Sequence, residues 1–527
     1  MCEINEDFHD RLECVQDVEG GLKKCVKCKE ANASVVIKGG DAHCRACFKE
    51  NFTHKFRATL GKNRVIFPGE KVLLAVSGGP SSCSMLRQVQ EGLSQNAHKK
   101  LRFLPGIVYI DEGGAVFRSS EERQKTVAQL QAIFKATGYP FHIVPLEQVL
   151  DLPSSTILTA PSASQPAHTG AYKTAVDQFI QHEISSSAAR EVQEETDVYE
   201  SQEPHTQALQ KLIGSAKTLT AKQDLVNTLR QHVLVHTARS KGYSKVMLGD
   251  SCTRLAVKLL SNISTGRGAH LAQDTGFSDT RHGDVILVRP MRDYSAKEIA
   301  YYNHVFAVPS VFIPGLDTKN ADKASIHRLT ESFVNKLQAD FPSTVSTIYR
   351  TSEKLQTVCG SSSTADPCDR CLLCVCALDT ADDGVSALQA TLTSEKLSKF
   401  RGNTRPGMPV LISGELRQSA PTVRDCRSGE GENCGQAQVG GSCCSSDMKP
   451  EKTDLKSTLC YSCQLIVKDL SSVECLPQYI LSEAMRRQRR SLMRKEITFA
   501  PVSNVGQEKT LVTVPGSELW AVDQTSH

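Results

Sequence analysis

Apolar positions along this chain change period in a regular order. "KVLLAVS", "FLPGIVYID" and "FHIVPL" are short apolar runs that predict three buried strands between 71 and 146. Between them, apolar residues recur at helical spacing over about 82–94 and 119–137. The alternation resumes with a helix over about 222–241, a strand "SKVMLG", a helix over about 252–264, a strand "DVILVRP" and a helix from about Ser295. Apolar runs without polar alternation, joined by amphipathic crossovers, belong to parallel strands covered on both faces. The expectation is an α/β fold with a Rossmann-like parallel sheet over 65–310.

The pattern fails in five places. Residues 1–20 are polar and acidic and predict a flexible tail. Across 152–220, "LPSSTILTAPSASQPAHTG" is rich in Ser, Pro and Ala, and "AREVQEETDVYESQE" is acidic; an insertion is expected, with one short helix near 170–182. Helical periodicity returns over 311–358, and a cysteine-rich region follows over 359–480. Within it the Gly/Ser-rich stretch 420–458 is expected to be disordered, and 481–527 reads as a basic helix and tail.

Composition narrows the class. The 527 residues are 39% hydrophobic and 23% charged, enough for two or three domains with buried cores. The net charge of +4 is too mild to imply a nucleic-acid partner, so that case rests on local patches. The N-terminus lacks an apolar signal segment, and no run reaches the roughly 18 apolar residues of a membrane span. An intracellular protein with no membrane contact is expected, and among its 20 cysteines the paired ones then read as metal ligands rather than disulfides.

Cys25-x2-Cys28 and Cys44-x2-Cys47, 15 residues apart, can each place two thiolates on one zinc ion. Four protein ligands leave no open position, so the role is structural. Further on, Cys368, Cys371, Cys374 and Cys376 crowd together, and Cys460-x2-Cys463 stands far downstream. A second site can use Cys371 and Cys374 with the distant pair, or Cys368 and Cys371 with it, because loop closure costs little more for a long loop. Cys426, Cys434, Cys443 and Cys444 lie in low-complexity sequence and are expected as free thiols.

After the first strand, Ser77-Gly78-Gly79 can turn tightly and aim N–H groups at an anion. With Ser82 it resembles the SGGxDS loop of the PP-loop ATP pyrophosphatases, although Pro80 and Ser81 stand where that superfamily has its common Lys and its Asp. "IDEGGAVFR" resembles the acidic segment after the second strand in the tRNA-thiolating branch. "LGDSCTRLAVKLLSNISTGRG" sits where that branch has an acidic helix start, with Thr253 and Arg254 replacing the acidic pair. "VRPMRDYSAKEIAYYN" resembles its closing segment, and "CRACFKENFTHKFR" the end of its N-terminal zinc finger. The cysteines by which catalytic members hold an iron–sulfur cluster have no counterpart in "SAKTLTAKQDLVNTLRQHVLVHTARS".

Together these segments resemble the cytoplasmic tRNA 2-thiolation protein 2 family, a divergent paralogue of the catalytic thiolase. The resemblance implies a cytoplasmic, heterodimeric subunit, itself without catalytic residues, with Ser77, Gly78, Gly79 and Ser82 left as a degenerate nucleotide loop. It implies zinc as the cofactor, with ATP and magnesium handled by the partner subunit if at all. The implied partners are the catalytic thiolase, tRNA and a ubiquitin-related modifier that carries the sulfur. The implied product is 2-thiouridine at position 34 of tRNAs for Lys, Glu and Gln. Two rivals are an active thiolase with an altered loop and a zinc-containing RNA- or protein-binding scaffold. Candidate tRNA contacts are Lys23, Lys24 and Lys27 in the zinc module and Arg486, Arg487, Arg489 and Arg490 in the basic helix. Asp111 and Glu112 read as remnants or structural residues, and Cys83 and Cys252 as small packed residues at helix starts.

Overall fold

A computed structural model describes residues 23–157 except 38, 39, 98 and 99; residue 176; 197–198; 202–355 except 317 and 319; 370–378; and 455–499. The tail 1–20, Cys368, Cys426, Cys434, Cys443, Cys444 and nearly all of the expected helix 170–182 and insert 420–458 lie outside the described residues.

A small hairpin, β1 (Val35–Val36) and β2 (Ala42–His43), precedes α1 (Arg45–Asn63). Then come β3 (Lys71–Ala75), α2 (Pro80–Leu93), β4 (Leu104–Asp111), α3 (Ser120–Lys135), β5 (Phe141–Pro145) and the short β6 (Asp197–Val198). Helices α4 (Glu203–Ser215) and α5 (Leu219–Ser240) lead to β7 (Lys245–Leu248), α6 (Cys252–Ser264), α7 (Leu271–Thr275), β8 (Ser278–His282), β9 (Val285–Val288) and α8 (Ala296–Val305). Helices α9 (Ile326–Asp340), α10 (Pro342–Glu353), α11 (Tyr461–Asp469) and α12 (Gln478–Phe499) complete the described elements.

Strands β3 to β9 form one sheet in the order β6-β5-β4-β3-β7-β9-β8, parallel except for the β8–β9 pair. The expected α/β class holds. Successive strand residues point to opposite faces, and the core divides accordingly. Leu73, Val108, Val144, Val246 and Leu287 enter one apolar cluster. Val72, Leu74, Ile107, Tyr109, Ile143, Met247 and Val288 enter the other. That division explains why the strands read as unbroken apolar runs.

The helices start where local chemistry allows. Pro80 opens α2, at a position whose N–H would have no partner in any case. Ser119 with Glu122 and Ser295 with Glu298 form capping boxes at α3 and α8, and Ser251 and Ser325 cap α6 and α9. Within the segment expected as an insertion, α4 buries Leu209, Leu212 and Ile213 in the core. Residues 455–458, at the end of the insert expected to be disordered, are described as a short turn with Leu455 buried.

Each cysteine module closes one face of the sheet. On one side, Phe48, Phe52 and Phe56, four residues apart along α1, bury against Tyr294, Tyr301 and Tyr302. The Phe52 and Tyr302 rings stack at 4.0 Å, and Tyr294 donates its hydroxyl to the Phe52 carbonyl at 2.5 Å. On the other side, Leu372, Leu373, Leu459, Ile466 and Ile480 join Leu225, Leu229 and Val233 of α5 in one cluster. Buried His232 pins that contact, with Nε2 2.8 Å from the Leu373 carbonyl and Nδ1 2.6 Å from the Tyr479 hydroxyl.

Candidate functional site: two cysteine clusters and a neutralised crevice

The two clusters share one plan. Each begins with a Cys-x2-Cys knuckle whose fifth residue takes a left-handed backbone, Lys29 at φ 61° and Val375 at φ 58°. In each, that residue donates its N–H to the carbonyl of the first cysteine, at 2.8 Å to Cys25 and 3.0 Å to Cys371. The second pair sits at a helix start, with Cys44 the N-cap of α1 and Cys460 the N-cap of α11. The x2 spacing then places Cys47 and Cys463 in the first turn, beside their partners.

Cys25, Cys28, Cys44 and Cys47 bring their Sγ atoms within 4.8 Å of one another, and so do Cys371, Cys374, Cys460 and Cys463. The Cys28–Cys44 sulfurs lie 3.9 Å apart and the Cys374–Cys460 sulfurs 3.6 Å apart. A tetrahedral zinc with bonds of ~2.3 Å puts its sulfurs roughly 3.8 Å apart, so both sets fit one ion. Burial acts to raise the Cys25 thiol, but the backbone N–H groups of Cys28, Cys44 and Lys27 outweigh it and bring it down to about 5. Burial and the neighbouring thiols push Cys47 up to about 12. Hydrogen bonds from Cys371, Cys376, Cys460 and Cys463 hold Cys374 well below the usual thiol range. Of the two ligand sets open to the second site, the structure brings together the one containing Cys374. Cys376, one of the crowded cysteines but in neither expected ligand set, is buried and accepts a hydrogen bond from Arg281 Nη1 at 2.8 Å.

The chain leaves β3 toward β4 on one side and pairs with β7 on the other, which puts a topological switch point between β3 and β7. Loop 77–79 lies there. Gly78 has φ 81°, and an added Cβ would meet Leu130 at 2.9 Å and Ile313 at 3.2 Å, so only glycine fits. Val311 donates its N–H to the Gly78 carbonyl at 2.8 Å. Ser77 and Ser82 bond each other at 3.3 Å, and Ser82 donates to the Gly79 carbonyl at 3.0 Å. Ser81 donates to the Gly249 carbonyl, joining the loops after β3 and β7. A Cβ at Gly249 would lie 2.9 Å from Ser82 Cα, so the two loops touch backbone to backbone.

The carboxylates at this crevice are engaged. Asp111 lies 2.7 Å from Arg123 Nε, whose Nη1 also pairs with Glu147 at 2.7 Å, all three buried. Glu112 pairs with Arg230. Asp250 faces Arg289 at 3.4 Å and Arg254 at 3.8 Å. Burial opposes ionisation of Asp250, but Lys258, Arg289, Arg254 and Arg230 hold its carboxyl below the ordinary value. Magnesium–ATP needs carboxylates free to bind the metal, and Asp111, Glu112 and Asp250 are each neutralised by arginine, so this crevice does not fit it. Cys83 and Cys252 are buried, and burial pushes the Cys83 thiol up to about 12. Arg123, Arg230 and Arg289 carried no sequence signal, since only tertiary contact pairs them with acids.

The candidate tRNA contacts divide. Lys23 and Lys24 reach backbone carbonyls at 3.4 and 3.0 Å, and Lys27 pairs with Glu50 at 2.7 Å, all on exposed surface. Arg487 is buried, bonded to Glu483 at 2.8 Å and to the Arg370 carbonyl, so it faces the protein. Arg486 pairs with Glu483 at 2.6 Å. Arg489 and Arg490 line an open surface groove with Met485 and Met493.

The fold and site define a class: an α/β protein whose switch-point carboxylates Asp111, Glu112 and Asp250 pair with arginines and which carries two four-cysteine metal-type centres. A family profile described as "Cytoplasmic tRNA 2-thiolation protein 2" matches residues 325–465. A relative of that name from Danio rerio is 56% identical over 510 residues, covering 94% of this chain and 98% of its own. The Homo sapiens relative of the same name is 50% identical over 520 residues, covering 94% and 97%. The chain belongs to the cytoplasmic tRNA 2-thiolation protein 2 family. Among solved structures, the U34-tRNA thiolase NcsA from Methanococcus maripaludis with its 4Fe-4S cluster superposes with a TM-score of 0.43 and 15% identity, over 64% of this chain and 89% of that one. That likeness is too slight to bear on mechanism. Among the described residues no helix is long and apolar enough to cross a membrane.

Proposed function

We propose that this chain is the non-catalytic or weakly catalytic subunit of the cytosolic complex that 2-thiolates wobble uridine 34 in tRNAs for Lys, Glu and Gln. Its partner is a catalytic PP-loop thiolase paralogue, which supplies the adenylation chemistry. The sulfur arrives as a thiocarboxylate on a ubiquitin-related modifier. The observation that carries this reading is the near full-length identity to relatives named for tRNA 2-thiolation. The engagement of Asp111, Glu112 and Asp250 by arginines supports the division of labour, because each of these three carboxylates is already paired with a cation.

Zinc occupies both clusters and holds the knuckles to the helix starts, contributing folding free energy directly. The exposed Lys23, Lys24 and Lys27 with Arg489 and Arg490 add phosphate contacts to those of the partner, so tRNA affinity rises in the complex and falls with salt. The test is mass-spectrometric measurement of 2-thiouridine in tRNA from cells lacking this protein. Loss of the modification, restored by the intact gene, is expected. Unchanged 2-thiouridine would remove the reading. Pyrophosphate release by the isolated chain with tRNA would instead make it a thiolase in its own right, and separate elution from the thiolase at micromolar concentration would leave a scaffold.

A further inference from the structure

Helix α12 presents two faces. The inner one, with Tyr479, Ile480 and Ala484, is buried in the core. The outer one mixes arginines with exposed apolar side chains. Ser482, Met485, Arg486, Arg489, Arg490 and Met493 line one open groove of about 410 Å³. They fall at i, i+3, i+4, i+7, i+8 and i+11, which is a single stripe along a helix. Met485 is 40% exposed, Met493 60%, and Leu492 beside them 49%. Flexible thioethers framed by guanidiniums suit an acidic, apolar protein segment laid along the helix. RNA suits the stripe less well, because its unpaired bases stack on aromatic rings, and none of the described residues lining the groove is aromatic.

This chain carries such a segment. Between Ile157 and Asp197 the structure describes Val176 alone, helical and half-buried. Around it Tyr172, Val176, Phe179, Ile180 and Ile184 fall at i, i+4, i+7, i+8 and i+12, an apolar stripe at helical spacing. The same segment carries Asp177, Glu183, Glu191, Glu194 and Glu195 against Lys173 and Arg190, a charge complementary to the groove. It departs beside its target, since the turn Ser154–Thr156, followed by buried Ile157, packs on α12. The 19 positions from Ile157 to Val176 reach about 60 Å when extended, against about 33 Å for the 22 residues of α12. A tethered segment within reach acts at an effective concentration on the order of millimolar, which a free partner must exceed. We propose that the outer face of α12 is the docking surface for residues 158–196 of this chain, with the apolar stripe on Met485 and Met493 and the acids on Arg489 and Arg490. The acids then compete with RNA phosphates for those two arginines, and that consequence alone rests on the thiolation reading.

The test is photocrosslinking in the full chain carrying Met493→benzoylphenylalanine, with the products mapped by mass spectrometry. No tRNA or thiolase is added, so the outcome is separate from that of the thiolation reading. Crosslinks to residues 158–196 within one chain are expected. Arg489→Glu with Arg490→Glu lowers their yield fivefold or more, and further adding Glu194→Lys with Glu195→Lys restores it, with melting temperatures retained throughout. Crosslinks only between two chains assign the face to a second copy, and crosslinks only to co-purified RNA or another protein assign it to that partner. Either result overturns the proposal, as does the absence of any crosslink or a yield unaltered by the charge reversal.

Discussion

The N-terminal cysteine module is fused to the α/β core, so disturbing one destabilises the other. Phe52→Ala isolates that coupling. The ring is 2% exposed, stacked on Tyr302 at 4.0 Å and tilted on Tyr294 at 4.4 Å, and it touches none of the four cysteines' sulfurs by hydrogen bond or ring contact. Truncating a buried Phe costs about 3–5 kcal/mol through lost transfer energy and the cavity left behind. For a domain of this size each kcal/mol shifts the midpoint by roughly 2–4 °C, so the expected fall is about 6–20 °C. Cys25→Ser should act in the same direction by releasing the start of α1 from its knuckle. Phe48, Phe52 and Phe56 together could then exceed the ~5–15 kcal/mol that holds a typical domain folded. The assay is thermal unfolding of the full chain followed by far-ultraviolet dichroism, with zinc measured in parallel. Phe52→Ala should keep its metal and melt early in one transition. Cys25→Ser should lose metal and melt early as well. A separate low-temperature transition, with the main one unmoved in either variant, would refute the fused architecture.

Metal analysis of the purified chain should give two zinc ions, falling to one in Cys371→Ser, because each four-sulfur set fits one ion. Arg123→Met leaves Asp111 and Glu147 buried without their shared cation and should destabilise by roughly 3–5 kcal/mol in a denaturant titration; a change below ~1 kcal/mol would count against the buried pairing. Burial lowers His232 to about 4 and His282 to about 3, so both stay neutral in the folded chain while the unfolded chain takes up protons below about pH 6.5. Their contribution is complete above that pH and is lost progressively as pH falls toward 4. Stability measured between pH 7 and 4.5 should decline, and less steeply in His282→Gln. Ser81→Asp should not produce pyrophosphate release from the isolated chain with tRNA, since Asp111, Glu112 and Asp250 remain paired with arginines.

Much of this protein is legible locally. Apolar runs such as "KVLLAVS" are fixed by burial on both faces, and that requirement is written residue by residue. The Cys-x2-Cys spacing is local too, because two thiolates three residues apart converge on one ion in a knuckle or a helix's first turn. Pro80 and Ser81 announced a loop short of a cation and a carboxylate. Tertiary structure decided the rest. Which of the crowded cysteines meets Cys460 depended on a chain closure of 86 positions, and loop-closure entropy is nearly indifferent to such choices. Arg123, Arg230 and Arg289 look like any surface cation in sequence, and only the sheet order brings them to the carboxylates at the strand ends. Arg487 reads as one of a basic run, yet helix phase turns it inward to Glu483. Spacing along the chain fixes what a residue can do with its near neighbours, whereas charge neutralisation acts through space, between residues whose separation in sequence carries no energy.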